Sequence, residues 1–359
     1  MSSRRKPPSI PRPSASVLLI SPLNEILLLH RVRSSNSFAA AHVFPGGNLS
    51  TTQDGEIPPA ETPARHEDGP AYRLAAIREC FEESGILLAR RKDSAALLEL
   101  DDESTAKGRV AVHNDEVRFT EWLDSHGGVP DTGTFVPLFH PTLPFSPPGQ
   151  TNPLEENLIP FTRWITPTWT PIRFTTQMYL YLLPLPLPHP SSPNANLTPK
   201  PTPDGGLEHS SARFLPASTW LSLARNGEIT LYPPQYFLLH LLAEHLSSDD
   251  ARSTLPADHA SQRAALRTFL NTSHPSWSRK CISPRVLRYL PGGEEAVLGL
   301  DRAGHELEGT ERGGVGEWAL VVRFGKKGEG VRVLKVGKRE ELLGKEGFEE
   351  ETERREGKL

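Results

Sequence analysis

The segment from Arg78 to Ile86 reads RECFEESGI and lies at the end of a stretch that predicts an α-helix. Residues 71–77 contain Ala, Leu and Arg without Gly or Pro, which favours a helix. At about 100° per residue, the three glutamates of the segment share one face of that helix. They are Glu79, Glu82 and Glu83. Gly85 predicts the end of the helix, because glycine commonly follows the last helical turn.

The opposite face of the same helix is apolar and predicts contact with a core. It carries Leu74, Ile77, Cys80 and Phe81. On the acidic face three neighbouring carboxylates repel one another, and the one cation beside them in the segment is Arg78. A divalent cation such as Mg²⁺, which prefers oxygen ligands, would relieve that repulsion. The competing interpretation is an ordinary acidic helix surface, and a second motif upstream argues against it.

The upstream motif is HVFPGG, residues 42–47, in which an apolar strand runs into a glycine turn. Together the two segments resemble the Nudix box, GX5EX7REUXEEXGU with U apolar. The REUXEEXGU half is complete in the segment quoted above. The pattern places its glycine 14 positions before its arginine, whereas Gly47 lies 31 positions before Arg78, so about 17 residues are inserted. The glutamate of GX5E has no counterpart in sequence, and Glu67 or Asp68 could substitute for it.

The resemblance implies an α+β fold of the Nudix type, in which a mixed β-sheet is sandwiched between helices (α/β/α), with loop insertions and a C-terminal extension. We expect a disordered lead over residues 1–14, a Nudix hydrolase domain over 15–245, and an extension over 246–359 that is helical, then β-rich, and ends in a charged tail. Insertions are expected at 49–69, as a polar surface loop, and at 185–206, as a Pro-rich linker.

Short apolar and amphipathic runs predict the other elements. Strands are expected at 16–20, 25–31, 86–89, 177–183, 207–214, 286–290, 296–300, 318–324 and 331–336. Helices are expected at 93–106, 114–126, 216–224, 234–245 and 252–270. Because Gly47 and the acidic helix must still converge, deleting residues 52–65 from the first insertion is predicted to leave metal binding largely intact.

Outside the box the chain is similar to coenzyme A diphosphatases of the motif-nineteen type, which are Nudix proteins that cleave acyl-CoA. The similarity covers residues 15–245 and includes the interruption of the box itself. The other stretches that carry it are LLLHR at 27–31 with AHVFPGG at 41–47, WITP at 164–167 with RFTT at 173–176, and EI at 228–229 with PPQ at 233–235. The coenzyme A signature is kept only in part, since Val32 replaces its serine and Ala41 its glycine.

This resemblance implies metal-dependent hydrolysis of the diphosphate bond in CoA or acyl-CoA, giving 3′,5′-ADP and (acyl-)4′-phosphopantetheine. One alternative is a Nudix pyrophosphatase for another nucleoside diphosphate derivative, such as ADP-ribose or NADH. A second alternative is a non-catalytic Nudix module used for binding. Silent members of that kind typically lose box carboxylates, and this chain keeps Glu79, Glu82 and Glu83.

By the same resemblance, Glu79, Glu82 and Glu83 ligate Mg²⁺ or Mn²⁺, with a backbone carbonyl at Gly47 or its neighbour close by. Bound cations would neutralise the diphosphate, orient a water molecule and lower the pKa of that water. Glu82 or Glu83 would act as the base, and the sequence does not choose between them. Arg78 is expected to hold the glutamates in place, although an ordinary pair four residues apart on a helix would look the same.

Arginines are the candidates for substrate binding, because the guanidinium group suits bidentate contact with phosphate oxygens. The candidates are Arg31, Arg163 and Arg173, each of which could instead be a surface residue. The pair Glu155–Glu156 is a further candidate for a distal ligand or base, with a solvated loop as the alternative.

Composition limits the remaining classes. A net charge of −4 provides no basic field for nucleic acid. No apolar run approaches the ~20 residues of a transmembrane helix, so we expect no membrane partner. The Nudix resemblance implies a small-molecule nucleotide, CoA or acyl-CoA, as the partner. Two cysteines, Cys80 and Cys281, form no disulfide framework, which suits an intracellular location. The C-terminal Gly357-Lys358-Leu359 resembles a peroxisomal address; otherwise the cytoplasm or mitochondrion is expected. The sequence leaves the oligomeric state open.

Overall fold

A computed structural model describes residues 7–32, 40–94, 96–133, 158–185, 198–202, 209–246, 256–325 and 330–344. The candidate pair Glu155–Glu156, the C-terminal address and most of the predicted linker at 185–206 lie outside these residues. In chain order, the strands are β1 (Arg12–Ile20), β2 (Ile26–Arg31), β3 (His42–Val43), β4 (Gly46–Asn48), β5 (Ala89–Arg91), β6 (Gly128–Pro130), β7 (Leu158–Ile165), β8 (Phe174–Leu182), β9 (His209–Leu215), β10 (Cys281–Ile282), β11 (Arg285–Tyr289), β12 (Glu295–Arg302), β13 (Gly313–Phe324) and β14 (Val331–Lys338).

The helices are named in the same way. They are α1 (Pro70–Ser84), α2 (Asp102–His113), α3 (Phe119–Ser125), α4 (Ala217–Asn226), α5 (Pro233–His245) and α6 (Pro256–Thr272), with short 3₁₀ helices at Pro63–His66, Trp277–Arg279 and His305–Leu307. None of the helices in the described ranges is both long enough and apolar enough to cross a membrane.

The main sheet is mixed and is built around β1. Its strands follow the order β10-β7-β8-β1-β2-β3, with β4 also paired to β1 and β9 to β2. One edge of β1 pairs with β8 in parallel along residues 12–20. The other edge is divided between two antiparallel partners, because Ser14 to Ser16 pair with β4 whereas Ile20 pairs with Ile26 of β2. This division brings the glycine turn at β4 beside the first half of β1.

The two faces of β1 contribute to different hydrophobic clusters, because successive side chains of a strand point to opposite sides. Val17 and Leu19 belong to a cluster that contains the apolar residues of α1, α2 and α3. Leu18 and Ile20 belong to a second cluster that contains residues of α4, α5 and α6. Helical segments therefore contribute to the cores on both sides of this strand.

Helix α1 agrees with its prediction at its C-terminal end and over most of its apolar face. It starts at Pro70, which needs no amide hydrogen at the first helical position. It ends before Gly85, whose backbone adopts the left-handed conformation at φ 73° and whose N–H donates to the carbonyl of Phe81. Ile77, Cys80 and Phe81 are buried in the α1 cluster, as the periodicity predicts.

The C-terminal segment forms an antiparallel sheet in the order β11-β12-β13-β14. Leu298 and Leu320 of this sheet lie in the same hydrophobic cluster as Leu18 of β1. In addition, β10 extends the main sheet by pairing in parallel with β7. The buried Arg263 of α6 donates to the side chain of Asn24 at 2.8 Å, next to the β1–β2 turn. The segment after residue 245 therefore shares a core and a sheet with the preceding residues.

Two predicted helices and one predicted strand are displaced along the chain. The helix expected at 93–106 is instead α2, which begins at Asp102. Its start is set by the preceding residue, Asp101, whose side chain accepts a hydrogen bond from the N–H of Ser104 and caps the helix. The helix expected at 114–126 is restricted to α3, and the strand expected at 86–89 begins only at Ala89.

The insertion at 49–69 is only partly the surface loop that its polarity predicts. Gln53, Asp54 and His66 are buried. The Gln53 side chain donates to the carbonyls of Val112 and Val117 and accepts from the N–H of Phe119, so it joins α2 to α3. Polar side chains in this segment are buried because they have hydrogen-bond partners.

Candidate metal-binding active site

The glycine turn lies against the acidic end of α1. Gly47 pairs with Ala15 of β1, and Gly46 with Ser16. The N–H of Gly46 donates to Glu83 Oε2 at 2.7 Å, and a Cβ placed on Gly47 would lie 2.5 Å from the carboxyl carbon of Glu79. The two segments of the interrupted motif are therefore in contact despite the insertion between them.

Alanine substitutions at the two glycines are expected to have different effects. The atoms nearest to a methyl group at Gly47 all belong to the end of the flexible Glu79 side chain, so we expect Gly47→Ala to fold and to displace this carboxylate. A methyl group at Gly46 would meet the Ala15 carbonyl and the backbone of Ser16, so we expect Gly46→Ala to lose about 1–3 kcal/mol of stability. Denaturant unfolding and Mn²⁺ titration of both variants test this. Equal loss of stability in the two variants would contradict it.

Arg78 connects the acidic face of α1 to the insertion. Its Nη1 lies 2.7 Å from Glu82 Oε1 and 2.9 Å from Glu79 Oε1. Its Nε and Nη2 donate to the two carboxylate oxygens of Asp54 at 2.9 and 2.8 Å. Burial opposes the charge on Arg78, but Glu79, Asp54 and Glu82 together outweigh burial and raise its pKa. The guanidinium group is thus fixed by three carboxylates.

Asp54 is a residue of this site that the sequence did not indicate. Its side chain is fully buried and also accepts a hydrogen bond from the N–H of Ser50 at 2.8 Å. Asp68 and Glu67 were the candidates to replace the missing box glutamate. Asp68 pairs with Arg73 instead, and Glu67 is exposed. Asp54 follows Gly47 by seven positions, one more than the box glutamate. That spacing is the sequence feature that could have indicated Asp54.

The position of Asp54 removes the basis for the deletion predicted above. Residues 52–65 contain both Asp54 and Gln53, and the deletion would leave buried Arg78 without its bidentate partner. A segment chosen as a dispensable loop therefore includes an ion pair that orients the acidic helix. We now expect this deletion to destabilise the protein.

Further polar groups reach the glutamates from other elements. Glu83 Oε1 lies 3.9 Å from Arg31 Nη1 of β2 and 3.6 Å from Nε2 of the fully buried His209. Glu82 Oε2 lies 3.1 Å from His113 Nδ1 at the end of α2. Arg31 is thus the one predicted substrate ligand that lies at the acidic cluster. His113 and His209 belong to no box pattern, because only the fold brings them there.

The other two predicted substrate ligands lie elsewhere. Arg163 is fully buried, with its guanidinium group 4.5 Å from the ring centre of Tyr72, two helical turns before Glu79. Arg173 is also buried, and its Nη1 and Nη2 donate to the two carboxylate oxygens of Glu306 at 2.6 and 3.0 Å. A role for either residue in substrate binding stays a prediction.

The surroundings of Glu79 shift the pKa of its carboxylate. Burial raises its pKa to about 7, Arg78 opposes that rise, and the neighbouring carboxylates of Glu82 and Asp54 add to it. An ionised carboxylate at this position therefore has less positive charge around it than it needs, which is the condition that a bound cation corrects.

The pKa of Glu79 predicts a pH-dependent cost in the absence of metal. The folded-state pKa, about 7, lies above the ordinary value of 4.5, so the cost is absent at low pH, grows as pH rises from 4.5, and is complete above 7. In chelator, Glu79→Gln is expected to raise the unfolding free energy at pH 8 by about 1–3 kcal/mol, with no gain at pH 4.5. Urea unfolding at both pH values tests this, and a gain that does not change with pH would contradict it.

The donor set fits a hard divalent cation, although the carboxylates do not form a ready cage. Within the described ranges, no three His, Cys, Asp or Glu side chains converge as a metal site. Arg78 Nη1 contacts one oxygen each of Glu79 and Glu82, and Gly46 occupies one oxygen of Glu83. Carboxylate and carbonyl oxygens are nevertheless the ligands that Mg²⁺ and Mn²⁺ prefer, and these groups lie along one side of α1.

Comparison with known proteins gives matches of low similarity. No family model matches the sequence. Solved structures similar to this chain include a NUDIX hydrolase from Alicyclobacillus acidocaldarius, with 22% identity over 68% of this chain and 96% of that chain and a TM-score of 0.48. A MutT protein from Methanosarcina mazei Go1 has 10% identity over 70% and 100% of the two chains and a TM-score of 0.30. The Nudix hydrolase RenU from M. Smegmatis has 13% identity over 65% and 84% and a TM-score of 0.28. At these values, any assignment of function depends on the residues of the site.

Proposed function

We propose that this protein is a metal-dependent Nudix hydrolase that cleaves the diphosphate bond of a nucleoside diphosphate derivative. The observation that carries the proposal is the contact of Gly46 and Gly47 with Glu83 and Glu79. This contact joins the two halves of the motif, so the insertion does not separate them. A catalytically silent binding module is disfavoured, because all three glutamates and Arg78 are retained and grouped.

Glu79, Glu82 and Glu83, with the carbonyl of Gly47, would hold Mg²⁺ or Mn²⁺. When bound, the cation would neutralise charge on the diphosphate and supply an activated water. Arg78 orients Glu79 and Glu82 through contacts of 2.9 and 2.7 Å, and Asp54 fixes Arg78 in turn. The carboxylate that takes the proton from the attacking water is Glu82 or Glu83.

The arrangement of β1 between two hydrophobic clusters supports a Nudix α/β/α architecture for residues 15–245. Residues 246–359 would then be an extension that packs onto this unit, as the shared core and the pairing of β10 with β7 suggest.

Within this class we propose CoA or acyl-CoA as the substrate, with 3′,5′-ADP and (acyl-)4′-phosphopantetheine as products. The support is the similarity of residues 15–245 to coenzyme A diphosphatases, including an interrupted box. ADP-ribose and NADH are the alternative substrates. Arg31, at 3.9 Å from Glu83, would contact the phosphates, as Arg suits bidentate phosphate binding.

A substrate panel with the purified protein tests both levels of this proposal. CoA, an acyl-CoA, ADP-ribose and NADH would each be incubated with Mg²⁺ or Mn²⁺ and, separately, with chelator, and the products identified by mass. We expect metal-dependent release of 3′,5′-ADP from CoA or acyl-CoA. Cleavage of ADP-ribose or NADH alone would keep the class and reject the substrate, whereas metal binding without any cleavage would reject the enzyme.

A further inference from the structure

Three arginines that form no ion pair within the described part of the chain meet where the insertion at 49–69, β7 and the start of β13 come together. They are Arg65, Arg163 and Arg312, and no carboxylate of the described residues forms a salt bridge with any of them. Arg163 is fully buried, whereas Arg65 and Arg312 are half-exposed. We call this set the arginine corner.

Two of these guanidinium groups bind the same short piece of backbone. Arg163 Nη2 donates to the carbonyl of Glu67 at 2.7 Å, and its Nη1 lies 3.5 Å from the carbonyl of Arg65. Arg312 Nη1 lies 3.4 Å from the carbonyl of His66. These contacts place both groups on the turn at 65–67, while Nε of Arg163 and Nε of Arg65 have no hydrogen-bond partner in the described structure.

Among the described residues, no carboxylate is paired with a guanidinium group of the corner. Two carboxylates influence it: Glu306, which is held by Arg173 through two hydrogen bonds, and Glu67, which is exposed. The positive charges of the corner affect the pKa of the buried His66. Burial lowers the pKa of His66 to about 4, and the positive charges of Arg163, Arg65 and Arg312 add to that effect. A charge removed from water normally requires a paired opposite charge, and the buried Arg163 has no such partner among the described residues.

We infer that the arginine corner binds an anion of the phosphate class. Guanidinium groups recognise tetrahedral phosphate oxygens through paired, charge-assisted hydrogen bonds, and the unpartnered Nε atoms are donors of that kind. The site is distinct from the acidic cluster, because Tyr72, which lies under Arg163, precedes Glu79 by seven residues, about 10 Å along α1. Its three arginines lie outside the two motif segments, which gives the insertion and the C-terminal segment a shared role.

Binding can be measured without any catalysis, so its failure is separate from failure of the proposed function. Inorganic phosphate would be titrated into the full-length protein in chelator by calorimetry, with chloride at matched ionic strength as the reference. We expect saturable binding, reduced about tenfold or more in Arg312→Gln, because one charge-assisted hydrogen-bonding group is lost. Arg323→Gln is the control, since Arg323 is exposed near the end of β13, the strand that follows Arg312, and pairs with Glu295.

Arg312 is half-exposed, so its substitution should not unfold the protein; circular dichroism checks this, and Arg65→Gln is the second variant. Binding that is absent in the wild type, or that is unchanged in both Arg312→Gln and Arg65→Gln, overturns the inference. Equal losses in Arg312→Gln and Arg323→Gln would also overturn it, because they would indicate a general effect of net charge.

A second measurement distinguishes the two sources of the phosphate group. If the anion is a phosphate of the substrate itself, Arg312→Gln should raise KM for the cleaved nucleotide about tenfold and leave kcat within a factor of about two. If it is a separate anion, KM should stay unchanged while phosphate binding is lost. Both results support an anion site at the corner and differ only in what occupies it.

Discussion

Glu82→Gln is expected to lower turnover by about 10²-fold or more while leaving the fold intact. The Glu82 carboxylate accepts from Arg78 at 2.7 Å and faces His113 at 3.1 Å, so it is held in one orientation at the acidic cluster. The amide has nearly the same shape, but it is a poor metal ligand and cannot accept the proton of a water molecule. Loss of either role removes the reaction without removing packing.

The measurement is the initial rate at saturating Mg²⁺, together with a urea unfolding curve. Glu103→Gln provides the control, because Glu103 lies exposed on α2 and pairs only with Lys107 four residues later. We expect this control to keep its full rate. A near-normal rate in Glu82→Gln would remove Glu82 from the reaction, and an unfolded variant would assign it a structural role instead.

The largest loss of stability is expected from Asp54→Ala. Asp54 is fully buried and binds both Nε and Nη2 of Arg78. Removing one partner of a buried ion pair costs about 3–5 kcal/mol, because the remaining charge is left without compensation. Glu79 and Glu82 still contact Arg78, so we expect about 3 kcal/mol, the lower end of that range.

Urea unfolding in chelator measures this loss, with Asp124→Ala as the control. Asp124 is exposed, and an exposed ion pair contributes at most about 1 kcal/mol. Asp54→Asn should fall between the two variants, since an amide keeps one hydrogen bond to Arg78 but not the charge. If Asp54→Ala is as stable as Asp124→Ala, then Arg78 does not depend on the insertion.

Local patterns in the sequence were enough to predict most of the elements. The 3.6-residue periodicity of residues 74–81 predicts the buried face of α1, and Gly85 predicts its end; both are confirmed. The strands around the turn at Ser21 to Asn24 are confirmed as β1 and β2. The prediction failed at α2, where the capping side chain of Asp101 rather than hydrophobic periodicity set the first residue.

The sequence alone thus determined the acidic helix, its apolar face and the glycine turn, because each depends on residues only a few positions apart. The tertiary structure alone decided which groups join them. Asp54 and His209 reach Arg78 and Glu83 across 24 and 126 positions. Arg312 reaches the carbonyl of His66 across 246. Such contacts form only when pairing of β1, β4 and β8 and the burial of two hydrophobic clusters offset the entropy of closing long loops. A pattern of neighbouring residues does not show whether pairing and burial outweigh that entropy.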